Sequence, residues 1–211
     1  VNWNEIPEIS NVVQVESDGY LAELQLLSSE IPNAMLEFYL RKAAGEFAKR
    51  SKTLLRRVKI KLQPCVTDYP VDLPEGELFD TFQGKRDNRF GVGSYTVCGR
   101  YYVQWNVPSQ SFVVGTPEPK EATDVFIIVA TTLNRDGCKM DQSFLDRYHS
   151  DIVPGALSHL YSMKGEGIKW TDLRLAQYHE RLFSNKITAA GIDRLNGRSS
   201  GRIQLKPMRT M

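Results

Sequence analysis

Three histidines, three cysteines and a run of five carboxylates are the residues of this chain whose types could do chemistry. His149, His159 and His179 are the only histidines. A helical zinc pair needs two of them one turn apart, as in H-E-x-x-H, and steps of ten and twenty residues do not give that. They are expected to face solvent or cap helices. Cys65, Cys98 and Cys138 are odd in number and form no C-x-x-C pair, so reduced thiols are predicted rather than a disulfide framework or a zinc site. Asp68, Asp72, Glu75, Glu77 and Asp80 could supply paired carboxylates or hold a hard cation. Their spacing fits no EF-hand loop, and the reading is of solvated turn residues. No G-x-S-x-G elbow is present. In Gln83 to Gly93, QGKRDNRFGVG, the glycines match neither a dinucleotide fingerprint nor a P-loop, so this is read as an exposed loop. The expectation is a protein that is not an enzyme and uses no cofactor or metal.

Charge offers a second kind of chemistry. From Arg41 to Lys61 there are nine basic residues against one acid, Glu46, a density that attracts phosphates. An alternative accounts for the same residues without DNA. Lys59 and Lys61 alternate with Val58, Ile60 and Leu62, as on the wet face of a strand, and the remainder crowd a helix end, where cations are favourable.

The elements that must position these groups follow from periodicity. Hydrophobic content of 41% and charged content of 25% are ordinary for a globular chain of 211 residues, long enough to bury a core, and a net charge of +2 selects no partner. No apolar run suffices to cross a bilayer and no charged-then-apolar leader opens the sequence, so the expectation is a soluble, non-secreted protein. Tyr20 to Leu27 reads equally as short helix or strand. After Pro32, Leu36, Leu40, Ala43 and Phe47 mark an amphipathic helix ending near Ser51. Leu54–Leu62, Thr96–Trp105, Phe112–Val114 and Val125–Leu133 are rich in β-branched and aromatic residues. Asn106 to Gln110 reads as a hairpin loop, and Tyr69 to Gly76 as an edge segment because its prolines cannot donate to a central ladder. Val125 to Val129 lacks alternation, which predicts a strand covered on both faces or at a subunit contact.

From about Asp141 the pattern is helical again. Phe144, Tyr148, Ile152, Ala156 and Leu160 form one apolar stripe, and Leu175, Ala176, Leu182, Phe183, Ile187 and Ala190 form another. Between them Thr171 is the predicted N-cap and Trp170 the plug of a helical hairpin. Pro154 predicts a kink or a restart of the first of these helices. The last eighteen residues, Arg194 to Met211, carry five basic side chains and no acid, and read as an arm ordered only on a partner. The expected fold is therefore α+β. A helical bundle comes from an N-terminal helix and a C-terminal helical hairpin (1–52 and 136–195), with a β-rich insert (53–135) and an extended C-terminal arm (196–211).

Gly155-Ala156-Leu157, Leu160-Tyr161-Ser162-Met163, Gly165, Trp170-Thr171-Asp172, Leu175-Ala176, Tyr178 and Phe183 together resemble the C-terminal signature of bacteriophage head-to-tail adaptor proteins, the connector-ring subunits related to the tail tubular protein A of short-tailed phages. Ala43-Ala44-Gly45-Glu46-Phe47 resembles that family's first helix. The motifs cover about 60 residues, and the join Lys164 to Lys169 and Pro154 depart from the family pattern. The resemblance implies a virion structural protein of the neck and tail, assembled in the host cytoplasm as a homo-oligomeric ring, usually a dodecamer, that joins the portal to the tail and lets DNA pass during genome ejection. On that reading Arg194, Arg198, Arg202, Ile203, Leu205, Lys206, Met208 and Arg209 form a portal-docking arm. Phe144, Tyr148, Ile152, Leu160, Trp170, Tyr178 and Phe183 serve the hairpin core and subunit packing, and Lys85, Arg86, Asn88, Arg89 and Phe90 form a tail-facing loop. The implied partners are copies of the chain, the phage portal protein, a tail or nozzle protein and DNA bound without sequence specificity, with no membrane. The basic run from Arg41 motivates the alternative of a DNA-contacting head-completion or packaging factor.

Overall fold

A computed structural model describes residues 6–27, 31–83, 85–86, 95–97, 101–115, 120–134, 139–165 and 168–198. In chain order the elements are β1 (Gln14–Glu16), α1 (Ala22–Leu27), α2 (Asn33–Ser51), β2 (Leu55–Leu62), β3 (Asp68–Pro70), β4 (Glu77–Phe82), β5 (Lys85–Arg86), β6 (Tyr95–Val97), β7 (Tyr101–Asn106), β8 (Ser111–Val114), β9 (Thr123–Leu133), β10 (Lys139–Asp141), α3 (Gln142–Tyr161) and α4 (Leu173–Arg198). The chain is a mixed α+β protein.

The strands form three antiparallel sheets, ordered β2-β9-β4, β3-β8-β7-β6-β5 and β1-β10. Val58, Ile60, Leu62, Val125, Ile127 and Val129 of the first pack against Tyr69, Val103, Phe112 and Val114 of the second in one apolar cluster, which makes the two a sandwich. A register shift between Phe79 and Thr81 lets Phe79 and Phe82, three residues apart, both face that interior. β9 is covered on its other face too, where Ile128 and Ala130 meet Leu55 and Ile6. That double burial is why its sequence does not alternate. β3 is an outer strand, as its proline requires.

The four helices share a separate core in which Phe47 of α2 meets Phe144 and Tyr148 of α3 and Phe183 of α4, with ring centroids 5.2–6.2 Å apart. α2 stops where Lys52 turns left-handed at φ 55° while donating its N–H to Ala48 O. α3 begins at Asp141, whose side chain accepts from the Phe144 N–H at 2.8 Å. α3 and α4 approach closely at Gly155, where an added Cβ would lie 2.7 Å from the Phe183 ring. α2 reaches the sandwich where Thr132 Oγ1 donates to Gly45 O at 3.1 Å.

Several expectations need correction. Thr96–Trp105 is not one strand but contributes to two, β6 and β7, which pair with each other. Glu77 and Asp80, read from sequence as solvated turn residues, lie on a strand, β4. Lys85 and Arg86 are not in a loop but pair with Thr96 and Tyr95; Asn88, Arg89 and Phe90 lie outside the described residues. α3 continues through Pro154 as one helix and does not restart there. The cap of α4 is Asp172, whose Oδ1 accepts from the N–H groups of Arg174 and Leu175 at 2.8 and 3.0 Å, while Thr171 donates to Met163 O. α4 extends to Arg198, so Arg194 and Arg198 belong to a helix and not to an arm. Arg202, Ile203, Leu205, Lys206, Met208 and Arg209 lie outside the described residues.

Candidate interaction surface

The groups able to do chemistry do not converge. His149 Nε2 lies 2.7 Å from Tyr20 O and its Nδ1 3.4 Å from Glu23 Oε2, between α3 and the segment around α1. His159 faces α2, its Nε2 3.5 Å from Glu46 Oε2. Burial, reinforced by Lys42, holds it below the usual histidine range against the pull of Glu46. His179 stacks on Tyr161 at 5.7 Å and is likewise lowered by burial. Among the described residues no three His, Cys, Asp or Glu could jointly hold a metal ion. Cys65 is exposed in the turn after β2, and Cys98 and Cys138 lie outside the described residues. A cavity of about 560 Å³ opens along β4 and β7, walled by the stacked pair Phe79 and Trp105. Its carboxylates, Glu77 and Asp80, are each held by a cation already, Arg56 and Lys52.

The acidic series is dispersed in the same way. Asp68 accepts from Ser111 Oγ at 3.3 Å, Glu75 pairs with Lys139 at 3.1 Å, and Asp72 is exposed. Glu77 is the exception to the solvated-turn reading, because it is buried. Arg56, 2% exposed, donates Nε to both Glu77 oxygens at 3.1 and 3.0 Å, Nη1 to Leu55 O at 3.2 Å, and Nη2 to Glu77 Oε1 and to Asp141 Oδ2, the latter at 2.7 Å. Thr131 Oγ1 also donates to Glu77 Oε2, at 2.6 Å. One guanidinium thus joins β2, β4, β9 and the cap of α3, at the boundary between the sandwich and the helices. Arg56 was grouped by sequence with the cations of the helix end, and only the third dimension separates it from them. The available signal was the apolar trio Leu78, Phe79 and Phe82 beside Glu77, hidden by the acids around it.

Much of the basic run is paired with carboxylates. Arg41 pairs with Glu37, Arg50 with Glu46, Lys52 with Asp80, Arg57 with Glu8 and Lys59 with Asp124. Those pairs alternate between a helix surface and two strands, and do not line one phosphate-tracking stripe.

What the molecule does present is an apolar helix face. Of the residues assigned to the hairpin core, Phe144, Ile152, Leu160 and Phe183 are buried and Tyr148 is half-buried against Phe47. Trp170 is a partial plug: it is not fully buried but packs against the helical core, with its indole N–H enclosed and meeting no acceptor among the described residues. Tyr178 is 57% exposed and outside the core. α4 buries one stripe, Ala176, Phe183, Ile187 and Ala190. A second line, Leu175, Tyr178, Leu182, Asn185, Ala189 and Ile192, steps by three and four alternately, the repeat that keeps residues on one side of a helix meant for another helix. Leu175, Tyr178 and Ile192 of that line are among the exposed large hydrophobic residues, as is Leu195 just beyond it. Arg174 and Arg181 border it, both exposed.

A further exposed apolar pair closes α1. Leu26 is 86% exposed and Leu27 is exposed beside it, with Glu23 exposed one turn earlier and Glu16 on β1. Arg194, expected in a portal-docking arm, is instead half-buried, donating Nη1 to Lys52 O at 3.3 Å and Gln83 Oε1 at 3.1 Å; desolvation lowers its pKa. It ties α4 to the start of the sandwich. No helix among the described residues is long and apolar enough to cross a membrane. The chain matches no protein-family model, and no curated protein is similar to it.

Proposed function

We propose that the chain is a virion structural protein, one subunit of a homo-oligomeric connector ring between the portal and the tail of a bacteriophage. The observation that carries this is the outward line on α4: beside its buried stripe the helix carries a second line in which Leu175, Tyr178 and Ile192 are exposed among the described residues. Ring closure needs such surfaces, because each subunit must offer its neighbours contacts that its own core leaves open. The resemblance of the α3–α4 segment to phage adaptors supplies the biological setting. In that setting the bundle of α2, α3 and α4 is the ring-forming body, the sandwich is the part directed at the tail, and residues beyond Arg198 reach the portal. DNA passes through the lumen without being read. The alternative of a DNA-contacting completion factor has less support, since six of the nine cations in the basic run are paired with carboxylates.

The test is mass photometry and negative-stain imaging of the purified protein, with an assembled neck as reference. Rings of one size are the expected result. A protein that stays monomeric at all concentrations, and occupies no ring in the neck, refutes the proposal.

A further inference from the structure

The sandwich has an open mouth, where an outer strand of each sheet, β2 and β3, borders one cavity of about 420 Å³. We infer, independently of the ring reading, that this mouth takes an extended segment of a partner protein, a strand alternating branched apolar residues with carboxylates, which pairs with the open edge of β2. Backbone direction shows which groups are on offer. Leu54 O accepts from Thr131 N at 2.9 Å, toward β9, whereas Arg57 N points the other way and donates to Pro7 O at 3.0 Å. Successive residues of a strand alternate in this direction. Val58 and Ile60 therefore serve the β9 ladder, while Lys59 and Lys61 aim their N–H and C=O groups outward. Among the described residues no backbone group meets them there.

The chain's own N-terminal segment shows how this edge is occupied. Glu8 forms a parallel bridge with Arg57, and its carboxylate pairs with the Arg57 guanidinium at 2.7 Å on the outer face. Ile9, the next residue, packs on the sandwich core. The segment then turns away in a short 3-10 helix, Ile9–Asn11, and leaves the rest of the edge uncovered. A strand continuing the same pattern opposite Lys59 and Lys61 would aim its apolar side chains at Val58, Ile60, Tyr69 and Val71, and the alternate ones at the two lysines. Those lysines share one carboxylate: Asp124 stands across from Lys61 in the ladder and pairs with Lys59 at 2.8 Å. Asp72 follows β3, on the opposite rim of the mouth. The outer face beside the edge thus has one cation in excess, which favours carboxylates in the added strand. Lysine on an outer strand also serves to keep other strands away; an edge guarded in that way would accept no added strand.

The probe is a short blocked peptide alternating glutamate and valine, and the readout is amide hydrogen exchange by NMR on the whole chain, with Val58 and Ile60 as internal references. In the chain alone, Lys59 and Lys61 are expected to exchange at least about tenfold faster than those references, and saturating peptide is expected to slow them by about tenfold or more. A peptide alternating lysine and valine should need a higher concentration, and one with two adjacent prolines at its centre should have no effect, because it cannot donate to the edge. Lys59→Glu/Lys61→Glu should reverse the preference between the glutamate and lysine peptides. The proposal is overturned by an absence of slowing at about 1 mM peptide, by Lys59 and Lys61 being as protected as the references before peptide is added, by slowing with the proline peptide, or by equal effects of the glutamate and lysine peptides. None of these readings depends on oligomer size, so failure here is distinct from failure of the ring.

Discussion

Replacing Arg56 by Met should cost the protein about 3–5 kcal/mol of stability. Glu77 and Asp141 are 6% and 3% exposed, and Arg56 is the cation that both of them touch. Met has nearly the volume of the arginine stem but leaves two carboxylates facing each other inside the protein. Breaking a buried ion pair by removing one partner costs about 3–5 kcal/mol, because the charge left behind has lost water and gained nothing. For a chain of this size that corresponds to a fall in Tm of roughly 6–20 °C. Removing the charges together should cost far less. In Arg56→Met/Glu77→Leu/Asp141→Asn the α3 cap is retained by the asparagine, and the main residual loss is the acceptor of Thr131, about 1 kcal/mol. Urea unfolding followed by tryptophan fluorescence and by helical circular dichroism would read both variants. If Arg56→Met falls within about 0.5 kcal/mol of wild type, as surface replacements do, or if the triple variant is no better than the single one, the cluster is not the buried junction described above.

Gly155→Ala should destabilise by about 1–3 kcal/mol despite alanine's higher helix propensity, since its Cβ would lie 2.7–2.8 Å from the tip of the fully buried Phe183 ring and force it to shift; Phe183→Leu in the same chain should return part of the loss, and an additive penalty in thermal melts would show that the two do not touch. Trp170→Ala should cost only about 1–2 kcal/mol, less than a fully buried tryptophan, and Trp170→Phe should be neutral or stabilising because it deletes an enclosed N–H without an acceptor. Lowered pKa values at His159 and His179 mean that the unfolded chain binds these protons first, so stability is full above about pH 6.5 and declines as pH falls from there toward the folded-state values. His159→Gln should flatten that decline in melts between pH 7 and about 5; an unchanged slope would assign it elsewhere.

The helices were legible because their apolar residues recur on a single face. Leu36, Leu40, Ala43 and Phe47 are all buried, and Asp141 begins α3 where the pattern restarts. β2 and β9 were legible from β-branched runs, and of the two expected causes for the unbroken apolarity of β9, cover on both faces holds around Ile128 and Ala130 while Phe126 on the same outer face is 43% exposed. What escaped was decided by neighbours distant in sequence. Glu77 looks like Glu75 until Arg56 is brought against it across β9, and β4 has only Leu78, Phe79 and Phe82 to signal a strand because a bulge breaks its alternation. Tyr178 was drawn into the core by residue type alone. Its exposure depends on which side of α4 turns toward α3, and Gly155 sets that by admitting Phe183.

Scattered exposed hydrophobic residues need no explanation on a protein surface, so the weight of the α4 line lies in its spacing and in what its polar replacement would do. If Leu175, Tyr178 and Ile192 served the fold of one chain, serine at Tyr178 and Ile192 would lower the unfolding free energy of the monomer by the transfer energy of the lost groups. That amounts to about 1.5–3 kcal/mol for each fully buried side chain. Both side chains are at least half exposed, 57% and 50%, and most of that energy is not being used in the isolated chain. Tyr178→Ser/Ile192→Ser should therefore change the dilute monomer's stability by no more than about 0.5 kcal/mol, while shifting the concentration at which copies associate. Measured at low and high protein concentration, the variant's deficit in Tm should appear only at the high one, because association stabilises the folded state by mass action. A deficit of equal size at both concentrations would mean that α4 spends this face inside its own subunit, and would leave the ring without the contact proposed to build it.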